Sequence, residues 1–373
     1  MKVVIICGGV GSKMWPLSRE KNPKHFAKLI GDKSLFQLNY EALRQKFDPK
    51  DIFVQTNEAQ ANIAQGQVGE IPKENYFIEP ERRNHGPAMG LMAAKLYQMA
   101  PDEPYVVVQA DVIRKPVGKF LAMIEVMDKL IQKEGRLMTG GIKLDRVVGG
   151  IDFMVPGEDV GGVEGMRVFK MKRWVDRTDT NRDDEAIAKG QVYGHANHYA
   201  WTPRKMLEAY KRRAPEWYEP LVKMMEVMAP MVRCVSDSGV PSASRYPSGC
   251  GVPSAGEKRV IREEYAKMPS DPIEARVTKH ELAGALVVEL PFVWIDLGTW
   301  ESVAEYGKGG ESGLTIGGEN NYVRSKKFVA TVGVSDLVIV ETKDALLVMK
   351  KGEGGKVGQV VDWLKEKKKK DLL

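Results

Sequence analysis

Five apolar residues in succession, Val3 to Cys7, give the pattern of a short strand buried on both faces of a parallel sheet. Apolar positions then recur at helical spacing from Ser34 to Phe47, at Leu35, Leu38, Leu43 and Phe47. The alternation continues with strands over Asp51 to Thr56, Tyr76 to Glu79, Tyr105 to Ala110 and Arg136 to Ile142. Between them lie helices over Asn57 to Val68, Met89 to Met99 and Lys119 to Lys133. Strands alternating with long helical segments predict right-handed crossovers, hence an α/β fold with a Rossmann-like, mostly parallel sheet. Ligands of such sheets sit at the carboxyl ends of the strands.

From Lys143 to Thr202 the pattern turns more β-like and richer in glycine, which suits a substrate-facing lobe. A helix is expected over Pro203 to Met228, with Pro203 suited to a first helical turn, and another over Glu257 to Lys267. Between them, Ala229 to Gly256 is dense in Pro, Ser and Gly and reads as a long irregular loop. A strand over Ala285 to Leu290 leads to Trp294–Trp300. The division expected is a large domain over residues 1–306, with a ligand-facing lobe at 143–280, then a glycine-rich linker at 307–318. Residues 319–373 form a small β-rich domain closed by a helix over Val357 to Lys368. No internal repeat stands out, although the first strands of this tail suit one or two turns of a small β-solenoid.

Composition narrows the class. The 373 residues are 43% hydrophobic and 28% charged, the balance of a globular protein. No apolar run approaches the roughly 20 residues of a membrane span. The chain enters a strand without the charged-then-apolar pattern of a signal peptide, so a cytoplasmic protein with no membrane partner is expected. Cys7, Cys234 and Cys250 form neither a C-x-x-C pair nor a zinc spacing, and Cys7 reads as a small apolar filler. Much of the +6 net charge comes from five lysines between Lys365 and Lys370, a solvated helix end rather than a nucleic-acid contact.

The candidate chemistry begins where the first strand ends. Gly8, Gly9 and Gly11 let the backbone turn sharply and point amides at an anion, and Lys13 and Lys24 add cations; the guest this suits is a phosphate chain. The stretch is not a P-loop, because the order is Gly11-Ser12-Lys13 and position 6 is Ile. Nor is it a dinucleotide fingerprint, because Gly9-Val10-Gly11 is followed at the third glycine's place by Met14. Asp111 ends the fourth strand, and Asp296 ends a later apolar strand just before Gly298. Two aspartates from distant strand ends beside a glycine loop meet the needs of Mg²⁺ on a nucleoside triphosphate. Taken singly, each reads first as a turn or cap residue.

Trp15-Pro16-Leu17-Ser18-Arg19 and then Pro23-Lys24, with Phe26, extend the glycine loop into a stretch that resembles the signature of the nucleotide-sugar pyrophosphorylases, specifically the mannose-1-phosphate guanylyltransferase family. Lys13 stands where that family has Arg. Ala110-Asp111 and Trp294 to Trp300 are similar to its two metal motifs, and the resemblance implies that Asp111 and Asp296 are the metal ligands, with Mg²⁺ as cofactor. Glu79-Pro80 and Arg83 to Ala88 resemble its nucleoside-binding turn. That implies a nucleotide site at Gly8, Gly9, Gly11, Lys13, Asn84, Pro87 and Ala88; from the residues alone, the same turn is a helix start capped by Asn84. His85 replaces the family's usual Thr, and no direct catalytic role is expected of it.

The sugar-facing motifs are weaker. Arg146 to Asp152 keeps Gly149 in register, Trp174 to Thr178 supplies Asp176 and Arg177, and Gly194 to Asn197 supplies His195 and Asn197. Pro272 to His280 has Glu274 for the family's Asp and Lys279 for its Glu. Asp336 to Thr342 and Asp344 to Val348 resemble the family's tail closely. The resemblance implies transfer of GMP from GTP to mannose 1-phosphate, with Lys13, Lys24, Asp111 and Asp296 as the catalytic set. Sugar contacts would come from Gly149, Asp176, Arg177, His195, Asn197 and Lys279. Two rivals remain open: a sister enzyme with another sugar or nucleotide, and a nucleotide-sugar-binding regulatory subunit with weakened turnover. Homo-oligomerisation stays open. No cupin-like isomerase domain follows the tail in this sequence, so phosphomannose isomerase activity is not expected.

Overall fold

The computed structural model describes residues 1–9, 11–144, 151–177, 186–187, 189–228, 254–282, 284–307 and 313–373. Two compact units interleave along the chain. The first holds Met1–Ile6, Lys46–Gln109 and Pro116–Phe292; the second holds Cys7–Gln45, Ala110–Lys115 and Val293–Leu373.

The first unit is built on a sheet begun by β1 (Lys2–Ile6), whose Val3, Val4 and Ile5 have no exposed surface. The chain then enters the second unit, which contains α1 (Leu35–Arg44), started by a Ser34–Gln37 capping box. It returns for β2 (Ile52–Asn57), α2 (Glu58–Gln67), β3 (Tyr76–Glu79), α3 (His85–Met99) and β4 (Tyr105–Gln109). Pairing is parallel throughout β3-β2-β1-β4. This bears out the expected α/β fold, because parallel neighbours need the helical crossovers that the periodicity showed.

After β5 (Val112–Lys115), which belongs to the second unit, the first unit continues with α4 (Val117–Glu134) and β6 (Met138–Lys143). β7 (Phe153–Val163), β8 (Met166–Val175), β9 (Tyr193–Trp201) and β10 (Leu286–Glu289) complete its nine-stranded sheet. The full order is β3-β2-β1-β4-β9-β6-β10-β8-β7, with β9 antiparallel to both β4 and β6. The helix expected over Pro203 to Met228 is two helices, α5 (Pro203–Arg213) and α6 (Pro215–Val227). Pro215 explains the break: its ring disfavours the helical conformation at Ala214, which sits at φ −145°. α7 (Ala255–Lys267) starts two residues earlier than expected, at a Ser254–Glu257 capping box. Residues 229–253, most of the expected irregular loop, lie outside the described residues. Among the described residues, no helix is long and apolar enough to cross a membrane.

In the second unit β11 (Val293–Asp296) pairs antiparallel with β5, and α8 (Trp300–Tyr306) follows. β12 (Gly313–Ile316) falls inside the stretch expected to be a linker. It pairs in parallel with β14 (Val329–Val332), as β13 (Tyr322–Arg324) does with β15 (Leu337–Glu341). Both registers are offset by sixteen residues, so two solenoid coils stack rung on rung. Thr315 and Thr331 share a hydroxyl contact of 2.9 Å, and the Leu337 amide donates to Asn321 Oδ1 at 2.9 Å across the same step. Gly317 and Gly333, then Asn320 and Asp336, take positive φ at matching places in the two coils. The repeat is therefore one of conformation, and this is why it is faint in the residues.

β16 (Leu346–Lys350) lies antiparallel on β15, and α9 (Val357–Glu366) closes the unit. Its core joins both ends of the sequence: Met14, Trp15, Trp300, Val338, Leu347 and Val357 share one buried cluster. The Trp300 indole N–H donates to the Trp15 carbonyl at 2.8 Å, and the Trp15 indole N–H donates to that of Leu372 at 2.9 Å. Arg19 forks onto the Asp344 carboxylate at 2.7 and 2.6 Å.

Candidate active site

The residues expected to face phosphate lie in the second unit. Asp111 occupies the turn before β5, and Asp296 ends β11, opposite Val112 in the antiparallel register. The Leu297 amide donates to the Asp111 carbonyl at 3.2 Å and closes the pair. This strand pairing brings two sequence-distant carboxylates together. The Lys24 ammonium is salt-bridged to Asp111 Oδ2.

Burial alone would raise the Asp111 carboxyl, but the charges of Lys24 and then His25 hold it below the usual carboxylate range. Asp296 goes the other way, raised to about 6 by desolvation and then by the like charge of Asp111, with Lys24 and Lys13 opposing. Desolvation would lower Lys24, yet Asp111 and then Asp296 overcome it and favour its charged form. The donor set suits a divalent cation. Two mutually repelling carboxylates are relieved by one, and among the described residues no cluster of three or more His, Cys, Asp or Glu offers a richer cage.

Two glycines here have no freedom to change. Gly11 sits at φ +77°, and a Cβ on it would lie 2.7 Å from the Lys24 stem. A Cβ on Gly298 would lie 3.1 Å from Asp296 Oδ1. Gly9 also takes positive φ, whereas Gly8 faces open space, and Lys13 is exposed in the turn that follows.

Sequence reasoning missed what steadies the Asp111 turn. The Asn39 amide on α1 donates to the carbonyls of Leu35, Ala110 and Val112, each at 3.0 Å, and its Oδ1 accepts from buried Arg114 at 2.6 Å. A signal was present, since Asn39 is polar on the face that buries Leu35 and Leu43.

The expected nucleoside turn lies in the first unit. Asn84, at φ 65°, caps α3 by accepting the His85 amide at 2.9 Å, so the helix-start reading of this turn describes its conformation. Pro87 and Ala88 are buried in the first turn. The Arg83 guanidinium donates to the Met268 carbonyl at 2.8 Å, and the Gly86 amide to that of Asp271 at 3.2 Å. Glu79, at the end of β3, is raised to about 7 by burial, which outweighs the hydrogen bond it accepts from the Tyr265 hydroxyl at 3.2 Å.

The expected sugar contacts are largely engaged with protein. Arg177 grips buried Asp152 through Nε at 3.0 Å and Nη2 at 2.7 Å. His195 is 1% exposed, bonds Thr139 Oγ1 at 2.9 Å and packs its ring on Trp174 and Tyr199; burial lowers it to about 4. Asn197 takes φ 54°, and its carbonyl accepts from Gln109. Asp176 is exposed, and Lys279 lines a cavity of about 330 Å³ with Trp174, Lys172 and Arg173. Gly149 lies outside the described residues. Tyr199 and Glu274 were not anticipated as partners of His85, yet Glu274 accepts from both His85 and Tyr199.

Residues 2–147 match the nucleotidyl transferase family model, and residues 315–364 match the MannoseP isomerase/GMP-like beta-helix domain, which spans most of the two stacked coils. Mannose-1-phosphate guanylyltransferases of Escherichia coli (strain K12) and Salmonella muenchen are 28% and 27% identical to the chain. Each alignment covers 97% of this chain and 73% of the relative. A solved structure from Thermus thermophilus, described as mannose-1-phosphate geranyltransferase, shares the fold with a TM-score of 0.78 at 21% identity, over 98% of this chain and 99% of that one. Fold and matched residues together make the chain a nucleotidyltransferase. Over nearly its whole length the chain is similar to mannose-1-phosphate guanylyltransferases, the family its sequence resembles.

Proposed function

We propose that the chain transfers GMP from GTP to mannose 1-phosphate, forming GDP-mannose and pyrophosphate. The observation that carries this reading is the convergence of Asp111 and Asp296 through the β5–β11 pairing, beside Lys24 and the glycine loop. A phosphate oxygen of the sugar attacks the α-phosphorus of GTP, a new P–O bond forms, and the bond to the β-phosphate breaks on the opposite side. The nucleophile is already an anion, so no general base is needed; the protein's work is positioning and charge neutralisation.

Asp111 and Asp296 would hold a divalent cation, Mg²⁺ on this reading, which supplies neutralisation of the α-phosphate and the sugar phosphate when bound. Lys24, charged and already drawn to both carboxylates, stands ready to turn toward the α-phosphate. Lys13 and the amides of Gly8, Gly9 and Gly11 take the leaving pyrophosphate. Asn84, Pro87 and Ala88 take the nucleoside, and the helix start of α3 favours nearby negative charge. The sugar would be met by Asp176, Arg177, His195, Asn197 and Lys279.

The test is pyrophosphate release and GDP-mannose formation from GTP and mannose 1-phosphate, with and without Mg²⁺. Product in the presence of the metal, with none in its absence, is expected. GTP binding without any product from a panel of sugar 1-phosphates would instead indicate the regulatory-subunit reading.

A further inference from the structure

We propose that His85 is a positioning residue that fixes Glu274 as a sugar-reading carboxylate. The inference rests on the functional reading above. His85 is the first residue of α3, directly after the Asn84 cap. Its Nδ1 lies 2.9 Å from Asn84 Oδ1, which also accepts the His85 amide, and its Nε2 meets Glu274 Oε2. A carboxamide oxygen and an ionised carboxylate both accept only, so the ring faces an acceptor on each side. On the other side, the Tyr199 hydroxyl donates to Glu274 Oε1 at 2.8 Å and lies 3.4 Å from Thr278 Oγ1. Tyr199 stacks against His195, which bonds Thr139.

The contacts therefore run from the expected nucleoside turn through a carboxylate into the strands of the expected sugar lobe, wholly within the first unit. Glu274 begins a π-helical turn, Glu274–Thr278, a wide irregular coil of the kind often found at functional sites. Burial would push its carboxyl up, but His85 and then His195 hold it well down, so it stays an acceptor. Its two oxygens accept from side chains on opposite sides and a backbone hydrogen bond adds to them, which fixes the carboxylate in the orientation that reading the hydroxyls of a sugar ring requires. A threonine at position 85, as in the family motif, is too short to reach across and could not set Glu274 this way.

The experiment measures kcat and KM for mannose 1-phosphate and for GTP in wild type, His85→Ala, His85→Gln, Glu274→Gln and the double variant His85→Ala/Glu274→Gln. His85→Ala should raise KM for mannose 1-phosphate about tenfold, with kcat and the KM for GTP moving less than about threefold. His85→Gln keeps a donor of similar reach and should recover most of that loss. The double variant should be no worse than Glu274→Gln alone, because His85 acts through that carboxylate. Additive losses, failure of His85→Gln to rescue, or a parallel rise in the KM for GTP would each overturn the inference while leaving the functional reading intact. A wild-type protein that turns over no sugar 1-phosphate would overturn both, and is distinguished by its inactivity before any substitution.

Discussion

The second unit and the sugar-facing lobe of the first differ in how their polar residues are held. In the second unit, backbone pairing does the positioning: β5 against β11 brings Asp111 to Asp296, and a positive-φ glycine lets the loop pack on Lys24. In the lobe, side chains hold one another, as Arg177 holds Asp152 and His85 and Tyr199 hold Glu274. Strand registers and left-handed turns depend on few residue identities. Interlocked side chains change together, so a motif can depart from its pattern residue by residue while a closed network persists. The phosphate chemistry should therefore follow the family, and the sugar selection should be this chain's own.

The comparison breaks first if the aspartates prove dispensable. Asp111→Asn and Asp296→Asn should each lower Mg²⁺-dependent turnover at least about a hundredfold, roughly 2.7 kcal/mol of transition-state stabilisation. Near-full activity in either variant would remove that carboxylate from the metal site. A smaller effect is expected at Lys13, which offers a point charge without arginine's fork. Lys13→Ala should slow pyrophosphate release about tenfold, while Lys13→Arg should equal or exceed the wild type; unchanged kinetics in the alanine variant would place Lys13 outside the site.

The mildest effect concerns Glu79, whose carboxyl rises from 4.5 to about 7 on burial. Between those values the folded chain binds a proton that the unfolded chain releases, so stability falls as pH climbs from about 4.5 to 7 and levels off above. The cost should be about 1–3 kcal/mol, read from denaturant midpoints across that range. Glu79→Gln should flatten this part of the profile; a slope unchanged by the substitution would assign it to another group.

Much of the fold was legible because periodicity reports burial directly. Val3 to Cys7, Tyr105 to Ala110 and the helices between them announce a parallel sheet, and Asp111 and Asp296 were visible as strand ends. The sixteen-residue coil was visible only as a suggestion, because its repeat resides in turn geometry at Gly317, Gly333, Asn320 and Asp336. The partners of the functional side chains were the least legible. Nothing local to His85 indicates Glu274, 189 positions away, and nothing near Arg177 indicates that Asp152 will occupy it. Asn39 lay between these extremes, since a polar residue on an apolar helix face signals a buried hydrogen-bond duty without naming the partners.

The most direct test of the contrast between a family-like phosphate site and a self-determined sugar site is a competition between mannose 1-phosphate and glucose 1-phosphate at fixed GTP and Mg²⁺. A sugar site with one hydroxyl-reading group fewer than the family's pattern should discriminate less, by about 1–3 kcal/mol. The preference for mannose 1-phosphate should then be smaller than that pattern gives by roughly five- to 150-fold, with glucose 1-phosphate used detectably. Discrimination as sharp as ten-thousandfold, or a preference for glucose 1-phosphate, would contradict the account and move the sugar site away from the residues placed in it.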